Sequence, residues 1–371
     1  MSPLKFLVSV VIGTRPEAIK LAPVVLALKK SVHFQVRVIL TGQHKEMVEQ
    51  VMNLFNLKED INLKLMKQNQ SLSYIISKSL EGLNEEFKNN FPDLILVQGD
   101  TSTAFAGALA GFNEKICVGH VEAGLRTNNL LDPFPEEANR RLISQISSLH
   151  FAPTKKAYKN LKKAGVSGEI HLTGNTVIDS LLIISKKNND KSYEEFKSLD
   201  GKKVILTTIH RRENWGSNLE NIANAILEIS KNKDIEFLLP LHKNKKVRDP
   251  FNRILGDINN IKLIEPLDYD KLIYVMQKSF LILTDSGGIQ EEAPSLGKPI
   301  LVLRDTTERE EAIESGCAKL IGTNKEKITK EVNSLLNNRR KYELMAKASN
   351  PFGDGNSSNR IVEICKNFLT K

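Results

Sequence analysis

Charged and hydroxyl side chains collect where short apolar runs end, in both halves of a 371-residue chain. In the first half these places are Gly13-Thr14-Arg15-Pro16-Glu17 ahead of Lys20, Thr41-Gly42-Gln43-His44, Gly99-Asp100-Thr101-Ser102, and Gly119-His120-Val121-Glu122-Ala123-Gly124-Leu125-Arg126. In the second half they are His210-Arg211-Arg212-Glu213-Asn214, His242, Asp285-Ser286-Gly287-Gly288 running into Glu291-Glu292, and Arg304 with Thr307-Glu308-Arg309. Asp, Ser and Thr are ordinary helix caps. Arg15, His210, Arg211, Arg212 and Arg309 are not, because helix dipoles favour anions there. Several cations beside helix N-termini imply a ligand with more than one negative charge. Ser286-Gly287-Gly288 opening a helix makes a phosphate or diphosphate seat, since absent Cβ atoms let an anion approach backbone N–H groups. Arg15 and Arg309 add forked donors from opposite halves.

Such turns need a scaffold, and the sequence supplies one. Short β-rich runs alternate with amphipathic helical stretches, the pattern of βαβ units around parallel sheets. Strands are expected at residues 6–12, 34–40, 61–66, 93–97, 116–120, 150–152 and 169–173, and again at 204–208, 236–241, 262–266, 280–284, 299–303 and 318–321. A helix is expected at 17–30 behind Pro16, which suits a first helical turn. The polar stretch 188–202 reads as a linker, giving an N-terminal Rossmann-like domain at 1–188 and a C-terminal one at 189–351. A last helix at about 352–371 is expected to cross back onto the first domain. The turns DLILVQGDTS and FLILTDSGG, one per half, are alike. Ligands of open parallel sheets bind beyond the carboxyl ends of the strands. Two such edges facing each other would enclose one charged interdomain cleft.

Composition narrows the function classes. With 40% hydrophobic and 26% charged residues the chain is globular rather than disordered, and its length suits two domains. The formal charge of +9 raises the question of nucleic acid, yet the basic clusters LKKSVHF and HKNKKVR lack interleaved aromatics. No nucleic-acid partner is expected. The first apolar run, Phe6 to Ile12, falls far short of the ~18 residues of a membrane span. Cys117, Cys317 and Cys365 form no CxxC and no metal spacing, which favours a reducing cytoplasm. There is no GxGxxG after the first strand and no GxxxxGK[ST], and the histidines lack metal-ligand spacing. No metal and no cofactor is expected.

The motifs GTRPEAIKLAPV, GDTST, GHVEAGLRT, PFPEEANR, TGNTVID, HRREN, TDSGGIQEEAPSLGKP, TER and NPFGDG, in this order over nearly the whole chain, resemble the non-hydrolysing UDP-N-acetylglucosamine 2-epimerases of bacteria. The resemblance implies a GT-B fold, a homodimer, a UDP-sugar substrate and interconversion of UDP-GlcNAc with UDP-ManNAc for surface polysaccharide synthesis. The C2 proton is not next to a carbonyl, so its removal needs help. With no dinucleotide fingerprint for transient oxidation, the route implied is expulsion of UDP from C1 to give an enzyme-bound 2-acetamidoglucal, followed by re-addition. That demands cations for the departing diphosphate and acid/base groups near C2.

By resemblance, Arg15, His210, Ser286, Gly287, Gly288 and Arg309 match positions around the diphosphate, and Glu292 the one that binds the ribose. Asp100, Glu122 and Glu136 match the acids of proton transfer, with His210 counted among the catalytic groups, and Lys20 lies near the acidic cluster. Glu213 is expected to pair with a neighbouring arginine. Gln43, Arg211 and His242 match a second nucleotide-sugar site that activates some members through a QHxQ motif, from which Glu46 departs. Glu310, Lys245 and Leu272 also depart from the family pattern. Competing readings are a GT-B glycosyltransferase, which needs an acceptor, an epimerase of another UDP-2-acetamido sugar, and a hydrolysing relative, which releases free ManNAc.

Overall fold

The structure is a computed structural model; it describes residues 5–42, 45–65, 67, 70–127, 129–189 and 191–371. The chain divides into two compact units, one of Met1–Ser180 with Phe352–Lys371 and one of Leu181–Pro351.

The first unit is built on a parallel sheet of β1 (Phe6–Ile12), β2 (Phe34–Leu40), β3 (Ile61–Asn62), β4 (Leu94–Gln98), β5 (Cys117–Val121), β6 (Leu149–Ala152) and β7 (Glu169–Leu172), in the order β3-β2-β1-β4-β5-β6-β7. Val, Ile and Leu fill these strands because both faces are covered by helices, as parallel sheets require. Val11, Ile39, Ile95, Val97 and Val118 pack with Leu83, Phe87, Ala104, Ala108 and Ile143 from the crossover helices. Each fully buried side chain of this kind is worth about 1.5–3 kcal/mol. The strand order reverses between β1 and β4, whose partners are Val8 with Leu94, Ser9 with Ile95 and Val10 with Leu96. A crevice for ligand belongs beyond the carboxyl ends of two such strands.

The second unit repeats the plan with β8 (Lys203–Thr208), β9 (Ile235–Pro240), β10 (Ile261–Ile264), β11 (Ser279–Thr284), β12 (Ile300–Val302) and β13 (Ala318–Leu320), ordered β10-β9-β8-β11-β12-β13. Its core joins Phe237, Leu239, Leu281 and Leu301 to Ile226, Phe251 and Val332. Here the reversal lies between β8 and β11, with Thr208 opposite Thr284 at the carboxyl end.

Two sequence expectations need correction. The third strand stops at Asn62 instead of continuing toward Met66, which lies outside the described residues. Lys64 takes a φ of +53° and the Asn62 side chain accepts its N–H, a local turn that ends pairing. Within the expected linker, Glu194–Leu199 is a 3-10 helix whose Phe196 and Leu199 are buried. Tyr193, Phe196 and Tyr274 form a ring cluster, so this segment is part of the second unit's fold. Tyr193, Phe196 and Leu199 recur every third residue, the 3-10 period, in a stretch too short and too charged to stand out from a linker. The helix Ser357–Leu369 belongs to the first unit, where the Asp179 carboxylate accepts the N–H groups of Ser357 and Ser358.

Candidate active site

In the first unit the turns after β1, β4 and β5 carry the polar groups. Glu122, one residue past β5, is a non-glycine residue with φ +62°. That conformation costs roughly 1–3 kcal/mol and persists only where the surroundings fix it. They do so through its nearly buried carboxylate. Lys20 Nζ lies 2.5 Å from Oε1, Asn175 Nδ2 donates to Oε1 at 3.2 Å, and Gln98 Nε2 donates to Oε2. Gly99 has φ +72°, so the turn after β4 needs glycine there to bring Asp100 out of the strand.

Asp100 is partly open to solvent and is held from one side. Arg140 Nε donates to Oδ2 at 3.1 Å, Arg140 Nη2 donates to the same oxygen, and Asn139 Nδ2 donates to the Asp100 carbonyl at 2.9 Å. Arg140 is fixed in turn by Glu137, a fully buried carboxylate that also takes Arg141 at 2.6 Å and the Thr127 N–H at 3.0 Å. Glu136 opens the helix Glu136–Ile146, and its carboxylate forms no hydrogen bond or ion pair among the described residues. Of the adjacent pair, then, Glu137 is structural and Glu136 is available. Arg15, first residue of the helix Arg15–Lys30, likewise has no ion pair among the described residues. Glu17 is buried behind it. Burial raises its carboxyl above the ordinary value, offset in part by bonds from Thr101 and from the Gly13 and Thr14 N–H groups.

In the second unit Asp285, at the end of β11, is the hub. Its fully buried carboxylate accepts the His210 N–H at 3.1 Å, the Arg211 N–H at 2.9 Å, Asn214 Nδ2 at 3.0 Å and His210 Nδ1 at 3.0 Å. Burial pushes Asp285 up, but the bonds from His210, Arg211 and Asn214 outweigh it and hold the carboxyl below its usual value. Because Nδ1 donates to the carboxylate, the orientation of the ring is set and Nε2 is left for a ligand. His210 keeps 44% of its side chain exposed.

Ser286 precedes the helix Gly287–Glu292, and its side chain caps no helix N–H. A Cβ on Gly287 would stand 3.0 Å from the Arg309 guanidinium carbon, so glycine lets that arginine lie flat against the helix start. Arg309 is not a free cation: Nε and Nη2 lie 2.9 and 2.8 Å from Glu291 Oε1. Gln290 accepts the Thr307 hydroxyl at 2.7 Å, which ties the Thr307–Arg309 loop to the same helix. Glu292 Oε1 accepts the Tyr269 hydroxyl at 2.5 Å. Arg304 takes Glu213 at 2.5 Å and Glu308 at 2.9 Å, the arginine pairing expected of Glu213.

The structure thus joins Lys20 to Glu122, and groups His210, Ser286, Gly287, Gly288, Glu292 and Arg309 on the β8 and β11 turns and the loop after β12. His242 and Arg211 follow the paired strands β9 and β8. His242 is exposed and its Nδ1 accepts the Asn244 N–H, whereas Arg211 shares Asp285 through its backbone. Gln43 lies outside the described residues. Sequence reasoning gave no role to the supporting groups Gln98, Asn175, Arg140 and Tyr269. Asp285 and Glu291 stood out only as charges of a turn, without the bracing roles they have here.

The model of the family described as UDP-N-acetylglucosamine 2-epimerase matches residues 26–366. Among characterised proteins, the UDP-N-acetylglucosamine 2-epimerase of Escherichia coli K12 is 48% identical over 366 residues, covering 96% of this chain and 97% of that one. Among solved structures, a putative UDP-N-acetylglucosamine 2-epimerase from Listeria monocytogenes superposes with a TM-score of 0.94 at 46% identity, covering 99% of this chain and 97% of that one. The UDP-GlcNAc 2-epimerase of Neisseria meningitidis bound to UDP-GlcNAc gives 0.87 at 47% identity, covering 97% of this chain and all of that one. The fold shared with them is GT-B, with two Rossmann-like domains.

Proposed function

The chain belongs to the UDP-N-acetylglucosamine 2-epimerase family of isomerases, and from that premise we propose that it interconverts UDP-GlcNAc and UDP-ManNAc by eliminating UDP to an enzyme-bound 2-acetamidoglucal and adding it back. The observation that carries the reading is the sorting of groups. Glu122 and Asp100, each held by cations or amides, stand on the β4 and β5 turns of one unit, while His210, the Ser286-Gly287-Gly288 helix start and Arg309 stand on the switch point of the other. In the reaction the first set handles the C2 proton, with Glu136 in reserve as a carboxylate lacking any partner among the described residues. Two acids suffice for inversion, one withdrawing the proton and one supplying it on the opposite face.

The second set takes the diphosphate as charge develops on it. Preformed donors do this without reorganisation, the largest share of catalysis in many enzymes. Helix N–H groups and the Arg309 fork are such donors, Arg15 adds another, and the His210 ring stands beside them; Glu292 takes the ribose. Uridine affinity then resides with the second unit. The enzyme needs no cofactor for this route. UDP-ManNAc made this way serves surface polysaccharide synthesis. Three free thiols, Cys117, Cys317 and Cys365, suit a cytoplasmic enzyme. A homodimer is supported by apolar side chains left exposed on the first unit's neighbouring helices, Phe112 at 55% and Leu142 at 50%.

The test is proton and phosphorus-31 NMR of UDP-GlcNAc incubated with enzyme alone, with oxygen-18 in the bridging position between C1 and the β-phosphorus. The reading predicts a second UDP-sugar at equilibrium and scrambling of the label into non-bridging positions. Product only in the presence of an acceptor favours the glycosyltransferase, and free ManNAc the hydrolysing relative.

A further inference from the structure

The turn that carries Asp100 is gripped by β5 at both of its backbone polar groups. The Gly99 N–H donates to the Val121 carbonyl at 3.0 Å, and the Gly99 carbonyl lies 2.7 Å from Nε2 of His120. A carbonyl only accepts, so Nε2 carries the proton and Nδ1 is bare. That Nδ1 is buried without a hydrogen-bond partner, and the imidazole is fully shielded from solvent. His120 therefore does not serve as a ligand group. Its one polar act is toward the residue before Asp100, from a position two residues before Glu122.

We propose that His120 is a positioning residue for the carboxylate pair: by fixing the Gly99 carbonyl it sets the direction in which Asp100 leaves β4 relative to Glu122 at the end of β5. The inference rests on the epimerase reading, in which these two acids move the C2 proton. Glu122 is a non-glycine residue in the left-handed region and depends on its bonds to stay there, while Gly99 takes either sign of φ freely and is fixed only by its partners. Without the imidazole the buried Gly99 carbonyl loses a donor, and rotating the 99–100 peptide to find another swings Asp100 with it. The donor is also constant. Burial pushes the His120 imidazole down to about 3, with His150 on the paired strand and the arginines Arg126 and Arg140 also disfavouring a charge, so it stays neutral across the working range.

The test compares His120→Gln, whose amide nitrogen reaches the place of Nε2, with His120→Asn, whose shorter arm does not, and His120→Leu. His120→Leu and His120→Asn are expected to lower kcat by about 10–100-fold with KM within about threefold, the scale of a 1 Å misplacement, while His120→Gln stays within about fivefold of the parent. Added to Glu122→Gln, His120→Asn is expected to cost no more than about a further threefold, because the two act as one unit. Amide hydrogen exchange over residues 99–103 is expected to rise in the Asn and Leu variants and not in the Gln variant. Unchanged kcat per folded molecule in His120→Asn, or losses that multiply in the double variant, overturns the proposal. If the parent enzyme fails to epimerise, the epimerase reading falls, and the exchange measurement still decides whether His120 fixes the turn.

Discussion

The turn after β4 and the turn after β11 occupy equivalent places in two sheets of like strand order, yet they offer opposite chemistry. After β4, glycine comes first and the aspartate second, so Asp100 stands outside the strand, partly open and braced by Arg140. After β11, the aspartate comes first and the glycines follow, so Asp285 is sunk and spends its oxygens on His210, Arg211 and Asn214. One turn presents a carboxylate; the other hides its carboxylate and presents an imidazole and helix N–H groups. Reversing the order of two residue types at a switch point turns a presented carboxylate into a buried one that carries an imidazole. The imidazoles follow the same division, His120 buried and neutral behind the first turn, His210 exposed in front of the second.

The sharpest way to break this comparison is to alter the presented acids. Asp100→Asn and Glu122→Gln should each lower turnover by about 10²–10⁴-fold, while calorimetric titration finds UDP affinity within about threefold of the parent. Equal loss of UDP binding would merge the two sites into one.

Acid separates the units next. His120 and His150 are buried, and burial lowers their pKa values to about 3 and about 4 against an unfolded value near 6.5. Below 6.5 the unfolded chain takes up protons that the native one refuses, so stability is complete above that pH and falls as pH drops toward 4. At about 1.4 kcal/mol per unit per imidazole, these two imidazoles cost the first unit roughly 4 kcal/mol by pH 5, offset in part by Glu17 and Asp179, whose carboxyls burial raises and which gain stability as pH falls. Asp285 has its folded pKa below the unfolded one, so its contribution is lost only as pH falls below about 4. Hydrogen exchange resolved along the chain should show the first unit opening before the second as pH is lowered from 7 to 5.

Asp285→Asn tests the hidden acid. It replaces an ionised acceptor of four bonds by one carbonyl oxygen and an unwanted donor, and UDP affinity should fall about tenfold, as for lost hydrogen bonds to a charged group. The smallest effect is expected from Glu291→Gln, which loosens Arg309 without removing it. KM should rise about threefold to tenfold with kcat nearly unchanged, read from initial rates.

Much of the scaffold was legible in the sequence because buried parallel strands are continuous apolar runs with polar turns after them. β1 and β2 were read to the residue for that reason. β3 was read too long, since a left-handed turn at Lys64 leaves no mark in hydrophobicity. Among candidate site residues, those on the turns stood out as charges after strands. Their supports did not. Arg140 and Asn175 act across about 40 and 50 positions, and a contact at that range has no local pattern. Glu137 and Glu136 are the same residue type side by side, and only packing makes the first structural and leaves the second open. Glu291 and Glu292 repeat that lesson in the second unit, one bracing Arg309 and the other bonded to Tyr269.

The central claim is that the first unit's acids exchange the C2 hydrogen of a UDP-sugar. Deuterium wash-in, followed by proton NMR of UDP-GlcNAc turned over in deuterium oxide, addresses it most directly. The account predicts deuterium at C2 of the epimer with the parent enzyme, and incorporation slowed by about 10²–10⁴-fold with Glu122→Gln saturated with substrate. An epimer that keeps its C2 proton in deuterium oxide would contradict it.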